Sequence, residues 1–289
     1  MKKPKTYLHL LLLTALFILL PLLQPKTVSA ASTVSYKIRG TVDYAESYAC
    51  LDEINALRKS KGLTPLKMDK RLLNYAVQRC AEITAAFSHT RPNGKNMTSL
   101  NASLINGENI ASGYSTAELT FNAWRNSPGH YQNMTRADYK SAGLACFRYN
   151  GKAWWVNLFS KKAAKAVTKS GTAKATRKVQ ITKKYLKKKT LGTTLNRVSA
   201  GSSITLPVTL QGIPGQLNSG LLGNTLFKYK SSNPSVLSVT KKGLLKPLRA
   251  GTAKITIQLK ANKKIKKTFK INVYSAGGSN IDTHSIVAE

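Results

Sequence analysis

The placement of charged residues constrains this chain more than any other feature of its sequence. Residues 139–281 contain 29 Lys or Arg and no Asp or Glu, whereas residues 31–138 contain 13 basic and 9 acidic residues. So sharp a change in polarity indicates two units with different roles. The formal net charge of +35 predicts polyanionic surroundings, although charge alone does not specify a fold. A stretch of this length without any acid also exceeds what solubility requires.

The first 30 residues have the pattern of a secretory signal peptide. Three lysines within the first five residues precede an apolar run over 7–23, and small residues lead to Ala30. This pattern predicts export and cleavage after Ala30. A membrane anchor is the alternative, but the run is short for a span of about 20 residues and Pro21 interrupts it. We expect no transmembrane segment after cleavage.

The less basic unit predicts a mixture of helices and strands. Apolar residues recur at helical spacing over three stretches, 44–61, 69–87 and 116–126. Asp69 is placed to cap the second of these helices. Near the end of the unit, two apolar stretches flank Asn150-Gly151, a pair that predicts a β-hairpin.

Four short segments of this unit carry a family resemblance. They are 87–94 (FSHTRPNG), 107–111 (GENIA), 123–124 (AW) and 126–133 (NSPGHYQN). In this order and spacing they resemble the CAP superfamily, which includes cysteine-rich secretory proteins, antigen 5 and plant pathogenesis-related proteins, and most closely its bacterial secreted branch. The resemblance covers roughly residues 42–160. It implies an α-β-α sandwich with a ligand-binding cleft.

The resemblance implies that His89, Glu108 and His130 face this cleft. Each also has a simpler interpretation, because histidines beside turns are often exposed and Glu108 could merely accept hydrogen bonds from backbone amides. Many eukaryotic members have a second cleft Glu at a position where this chain has Ser127. The nearest alternative is Glu118, which could equally belong to a capping box at the start of its helix.

Two histidines and one glutamate could bind a divalent metal ion such as zinc and leave a position open for water. However, His89, Glu108 and His130 come from separate segments, and the chain has no HExxH motif. Without a metal, a Glu beside a His could act in acid–base chemistry. No activated nucleophile is evident, so the residues favour binding over catalysis. The superfamily has no common reaction, and the resemblance allows a small hydrophobic or lipid ligand.

The three cysteines do not form a disulfide framework. An odd number in an exported protein leaves at least one thiol unpaired. Cys50 and Cys80 lie on predicted neighbouring helices and could pair, and Cys146 lies on a predicted strand. Buried free thiols that pack as small hydrophobic groups are the favoured alternative.

Residues 161–176 lie between the two units. They are rich in Lys, Ala, Thr and Gly and have almost no large apolar side chain. This composition predicts a flexible, self-repelling linker, with a short helix as the alternative.

Residues 177–275 predict an all-β unit, and residues 276–289 a short tail. Apolar and polar residues alternate as in half-buried antiparallel strands over three stretches, 204–210, 253–259 and 269–273. The segments 229–239 (YKSSNPSVLSV) and 250–256 (AGTAKIT) resemble the bacterial Ig-like group 2 domain. That resemblance implies an Ig-like sandwich of the kind that serves as a spacer or adhesive module.

Together these features predict an α+β chain, a CAP sandwich followed by an Ig-like sandwich, secreted from a Gram-positive-type bacterium. We expect it outside the cell or on the cell wall, held by teichoic acid, peptidoglycan or another polyanionic surface. A hydrolase that acts on peptidoglycan or peptides through the His/Glu cluster is the alternative. Nucleic acid is a less favoured partner, because no aromatic platform interleaves the lysines.

Overall fold

The structure is a computed structural model that describes residues 33–215 and 226–275. The predicted signal peptide (1–30) and the predicted tail (276–289) lie outside the described residues. Among the described helices, none has the length and apolar character needed to cross a membrane.

The first part of the chain mixes helices with one six-stranded sheet. Its helices are α1 (Tyr44–Ser60), α2 (Lys70–Ala85), α3 (Ala117–Arg125) and α4 (Pro128–Met134), with a 3-10 turn at Met97–Leu100. Its strands are β1 (Thr33–Asp43), β2 (Lys67–Met68), β3 (Gly107–Ser112), β4 (Ser141–Tyr149), β5 (Lys152–Ser160) and β6 (Thr172–Thr182). The strand order is β3-β5-β4-β1-β6, and the short β2 pairs with β4.

Local sequence signals explain where several of these elements begin and turn. The side chain of Asp69 accepts hydrogen bonds from the backbone amides of Arg71 and Leu72, which satisfies the free amides at the start of α2. Asn150 and Gly151 both have positive φ, as the two-residue turn between β4 and β5 requires. The structure therefore confirms the predicted helix cap and the predicted hairpin.

Helices cover both faces of the central strand β4. Its first seven residues are all buried, which a strand shows only when both of its faces are covered. A Cβ added at Gly143 would lie 2.1 Å from the backbone of Leu72, so α2 packs closely on that face. Neighbouring strand residues face the other way, where Asn109 of β3 donates to the carbonyl of His130 in α4. The sheet is thus a layer between helices.

Strand β6 is the main difference from the sequence prediction. It pairs with β1 over the full length of both strands, from Thr33 opposite Thr182 to Asp43 opposite Thr172. The sheet therefore includes residues 33–41, which precede the predicted domain, and residues 172–176 of the predicted linker. The inward-facing residues in the first half of β6 are small, so the segment has the composition of a linker. Its polar and apolar residues nevertheless alternate as in a strand.

The rest of the predicted linker also lies against the first part of the chain. The amide of Lys165 donates to the side chain of Asp69 at 2.6 Å, and the carbonyl of Lys165 accepts from Lys70 N at 2.9 Å. The hydroxyl of Tyr48 donates to the carbonyl of Val167. These bonds hold the segment in place, because they use backbone groups that a free linker would leave to water.

The second part of the chain contains nine strands among the described residues. They are β7 (Leu191–Thr193), β8 (Arg197–Ser199), β9 (Ile204–Thr205), β10 (Val208–Leu210), β11 (Phe227–Ser231), β12 (Leu237–Val239), β13 (Leu244–Pro247), β14 (Gly251–Leu259) and β15 (Lys266–Tyr274). Two 3-10 turns, Lys183–Tyr185 and Lys188–Thr190, precede them. The strands form sheets in the orders β11-β14-β15-β8, β12-β13-β9 and β10-β7.

The alternation along these strands sets which side chains form the core. Ala253, Ile255, Ile257 and Leu259 are buried, and the residues between them are exposed or half-buried. This confirms the alternation predicted for β14. The alternating stretch 204–210 is instead divided into β9 and β10, because Pro207 between them has no amide to donate to a neighbouring strand.

Candidate functional site

Glu108 lies at the centre of the candidate site. It belongs to β3 and is 4% exposed. Both of its carboxylate oxygens accept from the guanidinium of Arg79, Oε1 from Nε at 2.7 Å and Oε2 from Nη2 at 3.3 Å. The Nδ1 atom of His89 lies 2.9 Å from Oε2. Glu108 therefore joins a buried cation to an imidazole whose side chain is 57% exposed.

A second carboxylate and a second guanidinium complete this network. Arg79 is fully buried and donates to Glu82 at 2.9 Å and to the carbonyl of Ser88 at 2.7 Å. Glu82 in turn accepts from Arg91 at 2.7 Å. The network therefore pairs each buried carboxylate with a guanidinium, the condition under which charges are tolerated in an interior.

Electrostatics keep Arg79 and Glu82 ionised. Burial acts to lower the pKa of Arg79, but Glu108 and Glu82 outweigh it and the pKa is raised. Burial acts to raise the pKa of Glu82, but Arg91 and Arg79 outweigh it and the pKa is lowered. Arg79 and Glu82 are thus charged at neutral pH, and the guanidinium of Arg79 holds the Glu108 carboxylate in a fixed orientation.

His130 approaches the same site from α4. Its ring centroid lies 6.4 Å from that of Trp124, with the two rings tilted. Its carbonyl accepts from the side chain of Asn109 at 3.0 Å, and Asn133 donates to Asn109 at 2.9 Å. Burial, and then the charge of His89, lower the pKa of His130. At neutral pH its imidazole is therefore uncharged and able to accept a hydrogen bond.

The structure brings together three of the four residues singled out in the sequence. His89 and Glu108 are in hydrogen-bond contact, and His130 is near enough to His89 for its pKa to respond. Glu118 is exposed in the first turn of α3, and its side chain forms no hydrogen bond or ion pair within the described ranges 33–215 and 226–275. The binding role of all four residues stays a prediction.

The start of α3 also differs from the capping box considered for Glu118. The helix is capped by Thr116, whose hydroxyl accepts from the amide of Leu119 at 3.3 Å. The carboxylate of Glu46 in α1 accepts from the amide of Ala117. A residue distant in sequence therefore binds the free amide, which sequence spacing could not reveal.

The residues at the site do not fit the zinc ion that the sequence allowed. In the part of the chain that the structure describes, no group of three or more His, Cys, Asp or Glu side chains is arranged to hold a metal ion. Both oxygens of Glu108 already accept from Arg79, and that guanidinium would repel a cation. The geometry thus does not support metal ligation by His89, Glu108 and His130.

The cysteines take no part in the site. Cys50, Cys80 and Cys146 are all free and buried, which confirms the favoured prediction and excludes a Cys50–Cys80 disulfide in this structure. Burial raises the pKa of Cys146 to about 12. A thiol with so high a pKa is protonated at neutral pH and does not act as a nucleophile.

Sequence reasoning missed Arg79, Glu82 and Arg91. Charged residues on a helix are ordinarily exposed, so the residue types of Arg79 and Glu82 do not by themselves predict a buried position. A weak signal was present, because almost every residue around them in this helix is small or apolar and would suit a buried environment. Arg91 lies in the same segment as His89, but its partner Glu82 lies on α2.

A second candidate site is the exposed face of the sheet β11-β14-β15-β8, which we call the lysine face. It consists of Lys228, Lys230, Lys254, Lys266 and Lys270, all exposed. The strand register places Lys254 directly opposite Lys270. Like charges in this position destabilise a sheet. Between residues 139 and 275 the chain has no acid to offset them.

Two sequence comparisons bear on the first part of the chain. A family model described as "CAP: Cysteine-rich secretory protein family" matches residues 51–159. The uncharacterized protein YkwD of Bacillus subtilis (strain 168) is 29% identical over 142 residues, which are 47% of this chain and 51% of that protein. The chain thus spans about half the length of the curated relative it matches.

Solved structures with weaker similarity include two bacterial proteins. An extracellular protein containing a SCP domain from Bacillus anthracis str. Ames is 22% identical, with a TM-score of 0.36 and 40% of each chain covered. An outer surface protein from Borrelia burgdorferi is 25% identical, with a TM-score of 0.36 and with 45% of this chain and 99% of that chain covered. TM-scores this low do not establish a common fold, so the assignment relies on the sequence matches. The family model and the relative together support a CAP domain within residues 51–159.

Proposed function

We propose that this is a secreted, envelope-associated protein of a Gram-positive-type bacterium. Its CAP domain would present a ligand-binding cleft beside His89, Glu108 and His130. Its second part, as a bacterial Ig-like domain, would attach the protein to teichoic acid or another polyanion of the cell wall. The lysine face is the observation that carries the attachment. Five exposed lysines share one face, and the register keeps two of them opposed at a cost in stability.

Counterion release is the physical basis of this attachment. A cationic surface that neutralises phosphates on a polymer releases the small cations condensed around it, so its affinity falls steeply as salt rises. Lysine suits this mode of binding, because its ammonium is a compact charge on a flexible stem and does not impose the planar geometry of a guanidinium. The lysine face should therefore recognise the density of negative charge on the polymer and bind polymers of different chemical structure.

Co-sedimentation with purified cell walls tests the attachment. Walls with and without teichoic acid would be compared across a salt series, using the chain and a variant with the five lysine-face residues changed to Gln. The matched control changes five exposed lysines of the first part to Gln, namely Lys59, Lys61, Lys67, Lys70 and Lys140. By analogy with nucleic acids, a plot of the logarithm of the binding constant against the logarithm of the salt concentration should have a slope that is shallower by about four for the lysine-face variant.

Two outcomes would contradict the attachment. One is equal loss of binding in the control variant, which would mean that total charge matters and the face does not. The other is binding that persists at high salt or without teichoic acid. That result would indicate specific recognition of peptidoglycan instead.

Hydrolysis of peptidoglycan or peptides is the second candidate function. It is favoured by the 2.9 Å contact between His89 and Glu108, since a carboxylate that orients an imidazole is a common acid–base arrangement. Analysis of the supernatants for released fragments tests it. Fragments that form with the unmodified chain and disappear with His89→Ala would support hydrolysis, and the absence of fragments with both would exclude it for that substrate.

A further inference from the structure

A cationic pocket lies where strand β4 diverges from strand β1. The two strands are paired only from Asp43 to Thr41, which lies opposite Arg148, whereas β1 continues beyond this point paired with β6 alone. The space left by the divergence is a cavity of about 430 Å³. It is separate from both sites described above, and its lining includes Arg39, Arg148 and Lys174.

The strand register places these three cations on one face. Thr41 lies opposite Arg148 on one side and opposite Lys174 on the other, and residues directly opposite each other share a face. Arg39 is two residues from Thr41 and therefore faces the same way. The positive charge thus converges because of backbone pairing and does not depend on a particular side-chain rotamer.

One of the cations is held in place by the fold. The guanidinium of Arg148 donates from Nε to Asp43 at 2.9 Å and from Nη2 to the carbonyl of Ser115 at 3.3 Å. Three of its five N–H groups take no part in these two bonds. A fixed guanidinium loses less conformational entropy when it binds an anion than a mobile side chain does.

Only one of the three cations in the pocket is balanced by a neighbouring acid, because Arg148 is paired with Asp43. The ammonium of Lys174 donates to the hydroxyl of Thr41 at 3.2 Å, and within 33–215 and 226–275 neither Lys174 nor Arg39 forms an ion pair with an acid. Asp43 is engaged by Arg148. One position further along the same face, Lys37 lies directly opposite Lys178, which extends the positive field toward the pocket at a cost in sheet stability.

We propose that this pocket binds a phosphate group, with Arg39, Arg148 and Lys174 as its donors. Its volume lies within the range of about 300–1,000 Å³ for small-molecule sites and leaves room for a glycerol or sugar unit beside the phosphate. This proposal goes beyond the proposed function, because it assigns a discrete site of defined stoichiometry on the first part of the chain. It would hold even if the lysine face bound no polymer.

Calorimetric titration of the chain from residue 31 onward tests the pocket. The probes are inorganic phosphate and a glycerol phosphate oligomer, each added at a fixed ionic strength. We expect saturable one-to-one binding of at least one probe. Tighter binding of the oligomer would identify a polymer as the source of the phosphate, and equal or exclusive binding of inorganic phosphate would identify the free anion.

Two variants distinguish binding at this pocket from attraction to the overall positive charge of the chain. The double change Arg39→Gln and Lys174→Gln should weaken one-to-one binding by about tenfold or more, because it removes charge-assisted hydrogen bonds. The control removes the same charge from the lysine face by Lys228→Gln and Lys230→Gln and should leave this binding unchanged. Thermal melting of both variants would verify that they fold.

Three results would overturn the proposal. They are titration without saturation, binding that the control weakens as much as the pocket variant does, and unchanged binding in the pocket variant. Wall retention by the lysine face is measured separately by sedimentation, so a failure of one proposal is distinguishable from a failure of the other.

Discussion

At the scale of single residues, Arg79 determines the geometry of the candidate site. Its guanidinium contacts Glu82, Glu108 and the carbonyl of Ser88, so it joins α2 to β3 and to the segment that carries His89. The sequence predicted α2, its cap and the motif residues, because these depend on local patterns. It could not predict that a charged residue of the helix would be buried, because the partner Glu108 comes from a distant strand.

Replacing Arg79 by Met should destabilise the protein strongly. The change removes the guanidinium from the buried carboxylate of Glu108 and leaves Glu82 with Arg91 alone. Breaking a buried ion pair from one side typically costs about 3–5 kcal/mol of unfolding free energy. Urea denaturation measures this loss. The control Arg125→Met lies on the exposed end of α3 and should cost no more than about 1 kcal/mol. Equal effects of the two changes would contradict the buried network.

Changing His89 to Gln should raise the pKa of His130. Burial is the larger cause of the lowered pKa and would remain, so the rise toward the ordinary value of 6.5 is partial. Proton NMR titration of the His130 imidazole in the unmodified chain and in the variant measures the rise. A pKa of His130 that does not move would show that the charge of His89 does not act on it.

The same shift has a consequence for stability. Folding lowers the pKa of His130, so the unfolded chain binds this proton more readily than the folded chain does. Above pH 6.5, the contribution of His130 to the free energy of unfolding does not depend on pH. As the pH drops from 6.5 to the folded-state pKa of His130, the free energy of unfolding decreases. Comparing pH-dependent melting of the chain with that of His130→Gln isolates this effect, which should be absent in the variant.

At the scale of elements, a prediction that depends on local sequence was confirmed, and one that missed pairing with a distant strand was wrong. The Asn150-Gly151 hairpin was predictable because its turn and both strands lie within one short stretch. Strand β6 was not, because Ala173 and Ala175 on its inward face are small and its partner β1 lies more than a hundred residues earlier. Composition indicated a linker, and pairing with a distant strand made this segment part of the sheet.

Replacing Lys254 by Glu should stabilise the second part of the chain while it weakens wall binding. Lys254 lies opposite Lys270, so the change converts a repulsive cross-strand pair into an attractive one, a gain of about 0.2–1 kcal/mol. Thermal melting and wall sedimentation measure the two effects. The matched control is Lys230→Glu, which lies opposite Thr256.

The control should weaken wall binding without any gain in stability. If Lys254→Glu were not more stable than Lys230→Glu, the register or the repulsion between Lys254 and Lys270 would be wrong. If neither change affected wall binding, the lysine face would not be the attachment surface.

At the scale of the whole molecule, the domain boundary in the fold differs from the one suggested by the sequence. The family model ends at residue 159, but the sheet continues through β6 to residue 182. Tyr36 and Ile38 of β1, with Val179 and Ile181 of β6, are buried in this ribbon. The first sheet and the side chains buried against it therefore extend about 20 residues past the matched region.

A fragment of residues 31–160 should be much less stable than one of residues 31–185. The shorter fragment lacks β6 and leaves Tyr36 and Ile38 of β1 exposed to water, at a cost of about 1.5–3 kcal/mol for each large apolar side chain. Urea denaturation of the two fragments measures the difference. Equal midpoints would show that β6 contributes nothing to the first sheet.

The pairing of β1 with β6 also sets an order of events during folding. The first described strand leaves the ribosome early, but its partner follows only after most of the first sheet has been synthesised. Contacts so distant in sequence form slowly, so β1 keeps an unpaired edge until residue 182 is available. In a chain that crosses a membrane unfolded and N-terminus first, β1 and β6 can therefore pair only after residue 182 has followed.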